Sequence, residues 1–210
     1  MADGPTCPAP VEPYDDPALR ARLAASHVAI VGCGGLGSNA AAMLVRCGVG
    51  ELTLIDFDVV EESNLNRQLF FRDQLGMPKT TALRDTLLRI NPGVTLHIHT
   101  ECVTAENLVA LVEGADVVIE AADSAEAKAM IVNTALDRLP DTPLVSASGL
   151  AGFGSANEVV TELMADHFYL VGDLKSDVRL GNSLFASRVM VASAHEAHAA
   201  VRILLGYPEP

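Results

Sequence analysis

The chain has 210 residues, half of them hydrophobic, and 27 acidic against 14 basic side chains give a formal net charge of −13. So acidic a molecule is a poor partner for nucleic acid, whose phosphates are met by basic faces. No apolar run reaches the roughly 18 residues that span a bilayer, and the opening MADGPTCPAPVEPYDDP is neither basic nor apolar, so one soluble cytoplasmic domain, 18–210, is expected behind a flexible arm of residues 1–17.

The first predicted strand, Val28–Val31, runs into IVGCGGLG, Ile30 to Gly37, and on into an alanine-rich helix, Leu36–Cys47. Gly32 permits a tight turn, Gly34 lets the backbone approach a phosphate, and Gly37 lets the helix pack closely on the strand. The free N–H groups at that helix start point at an anion. A second strand, Leu52–Ile55, stops at Asp56, 19 residues past Gly37, where a carboxylate would accept hydrogen bonds from ribose hydroxyls. This order of strand, glycine turn, helix, strand and acid predicts a nucleotide-binding βαβ unit. Helices at Lys79–Ile90, Ala105–Glu113 and Ala125–Leu139 then alternate with strands at Val94–Ile98, Val117–Glu120 and Leu144–Ser146. Past Gly149, NEVVTEL and HFYLVGD read as an antiparallel pair, and a final helix covers about Ser183 to Leu205. The expected fold is α/β: a Rossmann-like open sheet, mostly parallel with an antiparallel C-terminal pair, and helices on both faces.

Three segments narrow the use of such a site. SNLNRQ, Ser63 to Gln68, follows the DFD of Asp56 to Asp58, and GMPK, Gly76 to Lys79, sets a lysine at a helix start behind a proline-locked turn. Five of the 14 basic side chains, Arg67, Arg72, Lys79, Arg84 and Arg89, fall in one 23-residue stretch, where a polyphosphate would need them. Arg84 and Arg89 read as a solvated helix face, whereas Arg67 and Lys79 sit in turns. The third segment, EAADS, Glu120 to Ser124, puts Asp123 past the fourth strand at the carboxyl end of the sheet, where open α/β folds bind ligands. A carboxylate beside a polyphosphate calls for a cation between them, and Mg²⁺ is the natural one.

Taken together, GCGGLGS, LIDFDVVEESNLNRQ, GMPK, RINP and EAADS resemble, in order, the ThiF, MoeB and ubiquitin-activating E1 family of ATP-dependent adenylyltransferases. The resemblance covers about residues 18 to 205, and the closing stretch GDLKSDVRLGNSLFASRVMVASAHEAH together with the compact length looks most like the short ThiF branch associated with thiamine biosynthesis. It implies an enzyme that binds ATP and Mg²⁺ and joins the C-terminal glycine carboxylate of a small ubiquitin-like sulfur carrier protein, ThiS-like, to AMP with release of pyrophosphate. It implies nucleotide contacts from Gly32, Gly34, Gly35, Gly37, Asp56, Asp58, Ser63, Asn64 and Ser124, triphosphate contacts from Asn64, Arg67 and Lys79, and Mg²⁺ at Asp123. Arg67, Lys79 and Asp123 are thereby the expected catalytic residues, and a homodimer is implied. The carrier's α-carboxyl, with a reference pKa of roughly 3.3–3.7, is already an ionised nucleophile at neutral pH, so no general base is required.

Departures from the family are informative too. Larger relatives carry two CxxC pairs for zinc and a later cysteine for covalent chemistry. Here Cys7, Cys33, Cys47 and Cys102 have no such spacing and no cysteine follows Cys102, so no zinc and no covalent carrier intermediate are expected, and reduced, mostly buried thiols are. The family's N-terminal arginine, which reaches across a dimer, lacks its usual context; Arg20 or Arg22 could replace it or be surface charges. His195 and His198 form HEAH, not the HExxH of zinc proteases, and Ser155 lies outside a GxSxG elbow. Gly149, Gly152 and Gly154 of SGLAGFG read as a chain reversal, near the carrier tail's passage by resemblance. Two other readings stay open: an NAD-dependent oxidoreductase, which the glycine turn and Asp56 fit equally, and a catalytically silent binding module of the same family.

Overall fold

The computed structural model describes residues 16–177 and 183–210. The N-terminal arm, apart from Asp16 and Pro17, therefore lies outside the described residues. Asp16 caps the first helix by accepting the Ala18 N–H at 2.8 Å, and α1 runs Pro17–Ala24. A proline opens it at little cost because the first N–H of a helix has no partner anyway.

Seven strands form one sheet: β1 His27–Val31, β2 Glu51–Ile55, β3 Thr95–His99, β4 Val117–Glu120, β5 Leu144–Ala147, β6 Val160–Ala165 and β7 Phe168–Gly172, in the order β3-β2-β1-β4-β5-β7-β6. Every neighbouring pair is parallel except β6 with β7. This is the α/β open sheet with an antiparallel C-terminal pair that the sequence predicts. The order in which the chain adds strands reverses between β1 and β4, although both run the same way, and this leaves a crevice at their carboxyl ends.

Alternation along β1 assigns the two faces. Val28 and Ile30 pack with α2 (Gly35–Arg46), α3 (Lys79–Ile90) and α6 (Ala186–Leu204), while Ala29 and Val31 pack with α4 (Leu108–Leu111) and α5 (Ala125–Arg138). Being covered on both sides, β1, β4 and β5 are buried almost end to end, in keeping with their mostly apolar sequences.

Small departures from the predicted elements have local causes. The helix expected over Ala105–Glu113 shortens to α4, because Thr104 and Asn107 cap each other: Asn107 Oδ1 accepts the Thr104 N–H at 2.7 Å, and Thr104 Oγ1 accepts the Glu106 and Asn107 N–H groups. The third strand begins one residue later than predicted, at Thr95, since Thr95 N–H is the group that bonds Gly50. Helix α6 starts at Ala186 rather than Ser183, because Leu184 is held in a bridge to Gly152. No helix is long and apolar enough to cross a membrane among the described residues.

Candidate functional site

The glycine turn lies where the reversal leaves the crevice. Gly32 has φ +101°, and a Cβ there would stand 2.6 Å from the Ala121 carbonyl oxygen just past β4. Gly37 is equally constrained, since its Cβ would fall 1.9 Å from the Gly32 carbonyl oxygen and 2.9 Å from Ile30. Gly34 differs: the nearest atom to a Cβ is Gln68 Nε2 at 3.8 Å, so a side chain there would meet only an ordinary contact. It is also the N-cap of α2, and no side chain caps that helix. The first-turn N–H groups therefore remain for an anion. Gly35 packs under Val189 of α6 and the stem of Arg67.

Asp56, one residue beyond β2, braces this turn. Its Oδ2 accepts the Cys33 N–H at 2.7 Å and its Oδ1 the Asp58 N–H at 2.8 Å. Burial pushes the Asp56 carboxyl upward, against the pull of those hydrogen bonds and of Lys79. Each oxygen keeps a lone pair for a hydroxyl donor. The Cys33 thiol is wholly buried and is pushed well above its ordinary range by burial and by Asp56, which makes it a packing group and not a nucleophile. Of the other described cysteines Cys47 is partly buried and Cys102 exposed, so burial is less general than expected.

The cations are more engaged than the sequence suggests. Lys79 is buried, with its ammonium 2.6 Å from Asp58 Oδ2, and its N–H bonds the Asp58 carbonyl. Two further ammonium donors remain. Arg72 pairs with Glu62 and Arg84 with its neighbour Asp85. Arg67 uses only Nη1, on the Ser63 carbonyl at 3.1 Å and Asn66 Oδ1 at 2.7 Å, which leaves Nη2 and Nε without a partner among the described residues. Its own carbonyl is held by Asn39 of α2 at 3.0 Å. Asn64 is buried and works locally, its Oδ1 capping Glu61 N–H and its Nδ2 reaching Ser63 Oγ. Ser63 is exposed.

The glycines, Asp56, Asp58, Lys79 and Arg67 thus form one connected set. Asp123 approaches it from the other side of the crevice, in the turn after β4 whose Ala121 carbonyl packs on Gly32. Asp123 is exposed and makes no hydrogen bond or ion pair with a described residue. Ser124 caps α5, accepting the Ala127 N–H at 3.1 Å. One unpaired carboxylate fits Mg²⁺, which is held by one or two carboxylates with substrate phosphates and water. No cluster of three metal-binding side chains exists among the described residues, the pattern a protein-only metal cage would need.

Arg22 bonds the Leu205 carbonyl at 3.2 Å, and so serves the end of α6. His195 bonds Thr161 Oγ1 at 3.0 Å in a groove of about 600 Å³ between β6 and α6 that His198 and Arg202 also line. Gly149 and Gly152 have φ of +80° and +78°, the reversal read from SGLAGFG.

Two features escaped the sequence reading. Gln68 Oε1 is buried without a hydrogen-bond partner among the described residues, beside Gly34. And Glu120, at the end of β4, is a fully buried carboxylate. The only signal for it is a charge closing the apolar run VVIE.

The ThiF family model matches residues 11–210. The chain is 42% identical over 134 residues to ubiquitin-like modifier-activating enzyme 5 of Oryza sativa subsp. japonica, covering 58% of this chain and 32% of that one. It is 39% identical over 130 residues to adenylyltransferase and sulfurtransferase MOCS3 of Drosophila willistoni, covering 61% and 28%. The matched part is thus less than a third of either relative's length. Among solved structures, E. coli tRNA N6-threonylcarbamoyladenosine dehydratase TcdA in complex with ATP superposes with a TM-score of 0.80 at 24% identity, over 90% of this chain and 89% of that one. E. coli MccB with ATP gives 0.72 at 23% identity, over 91% and 59%. At these identities the two structures speak to the fold alone.

Proposed function

The chain belongs to the ThiF family, and on that premise we propose that it is an ATP- and Mg²⁺-dependent adenylyltransferase. Its substrate in this reading is the C-terminal glycine carboxylate of a small ubiquitin-like protein, first among them a sulfur carrier of the ThiS type serving thiazole formation in thiamine biosynthesis. The observation that carries the reading is the uncapped start of α2 at the half-buried Gly34, next to a turn that Asp56 braces through Cys33 at the crevice of the sheet.

In the reaction a carrier carboxylate oxygen attacks the α-phosphorus of ATP, the bond from that phosphorus to the bridging oxygen breaks, and pyrophosphate leaves with the electron pair. No proton has to move. The work is to hold two anions together and to neutralise the charge that develops on the leaving group. The N–H groups of Gly35 to Gly37 take a phosphate, Asp56 takes the ribose hydroxyls, and the free Nη2 and Nε of Arg67 with the remaining donors of Lys79 meet the β- and γ-phosphates. Asp58 holds the buried Lys79 ammonium in place at 2.6 Å. Mg²⁺ held by Asp123 would neutralise phosphate charge. A homodimer is part of the same proposal.

The test is carrier-dependent exchange of labelled pyrophosphate into ATP, with a ThiS-type carrier and a ubiquitin-like modifier in separate arms. Arg67→Ala and Asp123→Asn should each lower exchange by about 10²–10³-fold, the usual loss for one charge-stabilising donor. Exchange that survives both substitutions overturns the site, and no exchange with either partner overturns the reaction.

A further inference from the structure

The turn that carries Asp123 is fixed from beneath by one buried side chain. Glu120 Oε1 accepts the Ala122 N–H at 2.7 Å. Its Oε2 takes the Lys128 ammonium from α5 and the Ser146 hydroxyl from β5, each at 2.5 Å. A single carboxylate therefore ties together the end of β4, the turn, the first turns of α5 and the neighbouring strand. The same turn is the wall of the glycine loop, because Ala121 O and Ala122 N are the atoms that a Cβ on Gly32 would strike, at 2.6 and 3.1 Å.

A buried ion pair is a poor way to gain stability, since apolar side chains of similar volume pack as well or better. Apolar packing would, however, leave the Ala122 N–H without an acceptor. What Glu120 supplies that a leucine cannot is a fixed position for that N–H. We infer that Glu120 is a positioning residue: through the Ala122 N–H it sets where the Asp123 carboxylate stands against the glycine turn, and thereby the metal affinity of the nucleotide complex. This rests on the reading of Asp123 as the metal ligand.

The experiment measures Mn²⁺ binding by the depletion of its free EPR signal, with the purified chain saturated in a non-hydrolysable ATP analogue, so that no carrier or turnover is needed. Glu120→Leu with Lys128→Met removes the pair and the acceptor together. Glu120→Gln with Lys128→Met removes both charges and keeps an oxygen for Ala122. Glu120→Asp keeps the charge but withdraws it by one methylene, and is the variant surest to fold. The Leu/Met pair and Glu120→Asp should weaken Mn²⁺ by about tenfold, the scale found for outer partners of metal ligands, with affinity for the metal-free analogue unchanged. The Gln/Met pair should stay within about threefold of the unsubstituted chain on that scale. Equal Mn²⁺ affinity in Glu120→Asp and the parent overturns the inference, as does a Gln/Met pair as weak as Leu/Met. Asp123→Asn separates the two levels: if it leaves Mn²⁺ binding intact, the metal-ligand reading falls and takes the positioning role with it; if it weakens binding, only the Glu120 variants decide.

Discussion

Residues 27–90 build their side of the crevice from glycine, a helix start and ion pairs in which at least one partner reaches the surface, whereas the described residues of 117–204 build theirs over charges buried in the core. Arg72 and Glu62 of the first part are 79% and 73% exposed at their side chains, while Asp173 and Arg188 of the second are 6% and 4% exposed. Glu120 and Glu196 are fully buried. Breaking an exposed charge pair in the first part should therefore stay local, and breaking a buried one in the second should be felt by the whole domain.

The sharpest contrast lies between two arginines. Arg188 of α6 bonds Asp173 Oδ2 at 2.6 Å and the Gly154 and Ser155 carbonyls at 2.7 Å each, and so pins the glycine-rich reversal to the helix. Burial alone would raise the Asp173 carboxyl, but the Ser176 and Lys175 N–H groups, the Ser176 hydroxyl and Arg188 together bring it down to about 2. Its contribution is thus complete above the ordinary value of 3.8 and is lost as pH falls from there toward 2. Arg188→Met should cost about 3 kcal/mol in urea unfolding, because Asp173 Oδ2 and the Gly154 and Ser155 carbonyls lose their donor while only the bonds to Asp173 Oδ1 remain. Arg72→Ala should cost under about 1 kcal/mol. Equal losses would erase the distinction between the two regions.

Within the first region, two glycines sharpen it further. Gly37→Ala drives a methyl group into the Gly32 carbonyl and should cost about 3 kcal/mol, at the upper end for overpacking. Gly34→Ala meets nothing closer than 3.8 Å, but its φ −80°, ψ −147° lies outside the regions alanine prefers, so the substitution should cost about 1 kcal/mol in unfolding. Its methyl group instead stands where a phosphate would approach, and ATP affinity measured by calorimetry should fall. A Gly34→Ala chain that binds ATP like its parent would remove the anion site from this turn.

What the sequence shows of this molecule follows the same division. Gly32 and Gly37 are legible because the need for them is local: strand, turn and helix follow one another, and only glycine fits. Asp56 is legible for the same reason, at a fixed distance along one βαβ unit. The Asp58–Lys79 pair is not, since burial of Lys79 depends on how the GMPK turn folds back over DFD. Nor is the pairing of Glu120 with Lys128 and Ser146, which joins three elements that only the sheet brings together. Asp173 and Arg188 meet because α6 packs across β7. A lone charge inside an apolar stretch, as at Glu120 in VVIE or Glu196 in α6, marks such a group without naming its partner.

Glu196 gives the most direct reading of the buried side. Neither of its oxygens has a hydrogen-bond partner among the described residues. Burial pushes its carboxyl well above the usual range; Lys128 pulls it down and Glu120 pushes it further up. A carboxyl raised in this way holds its proton in the folded state over a pH range where the unfolded chain has already released it. Stability is then highest below the unfolded value of 4.5 and declines as pH rises from there through the folded value. Glu196→Gln removes the ionisation and keeps the shape. At pH 4 the variant and its parent should unfold at nearly the same urea concentration. By pH 6 the variant should be ahead by about 1 kcal/mol, since one linked proton can contribute up to roughly 1.4 kcal/mol per pH unit. A difference that does not change with pH would mean that Glu196 is ionised throughout and has found a partner in solution, and the second region would then carry its charges in pairs only.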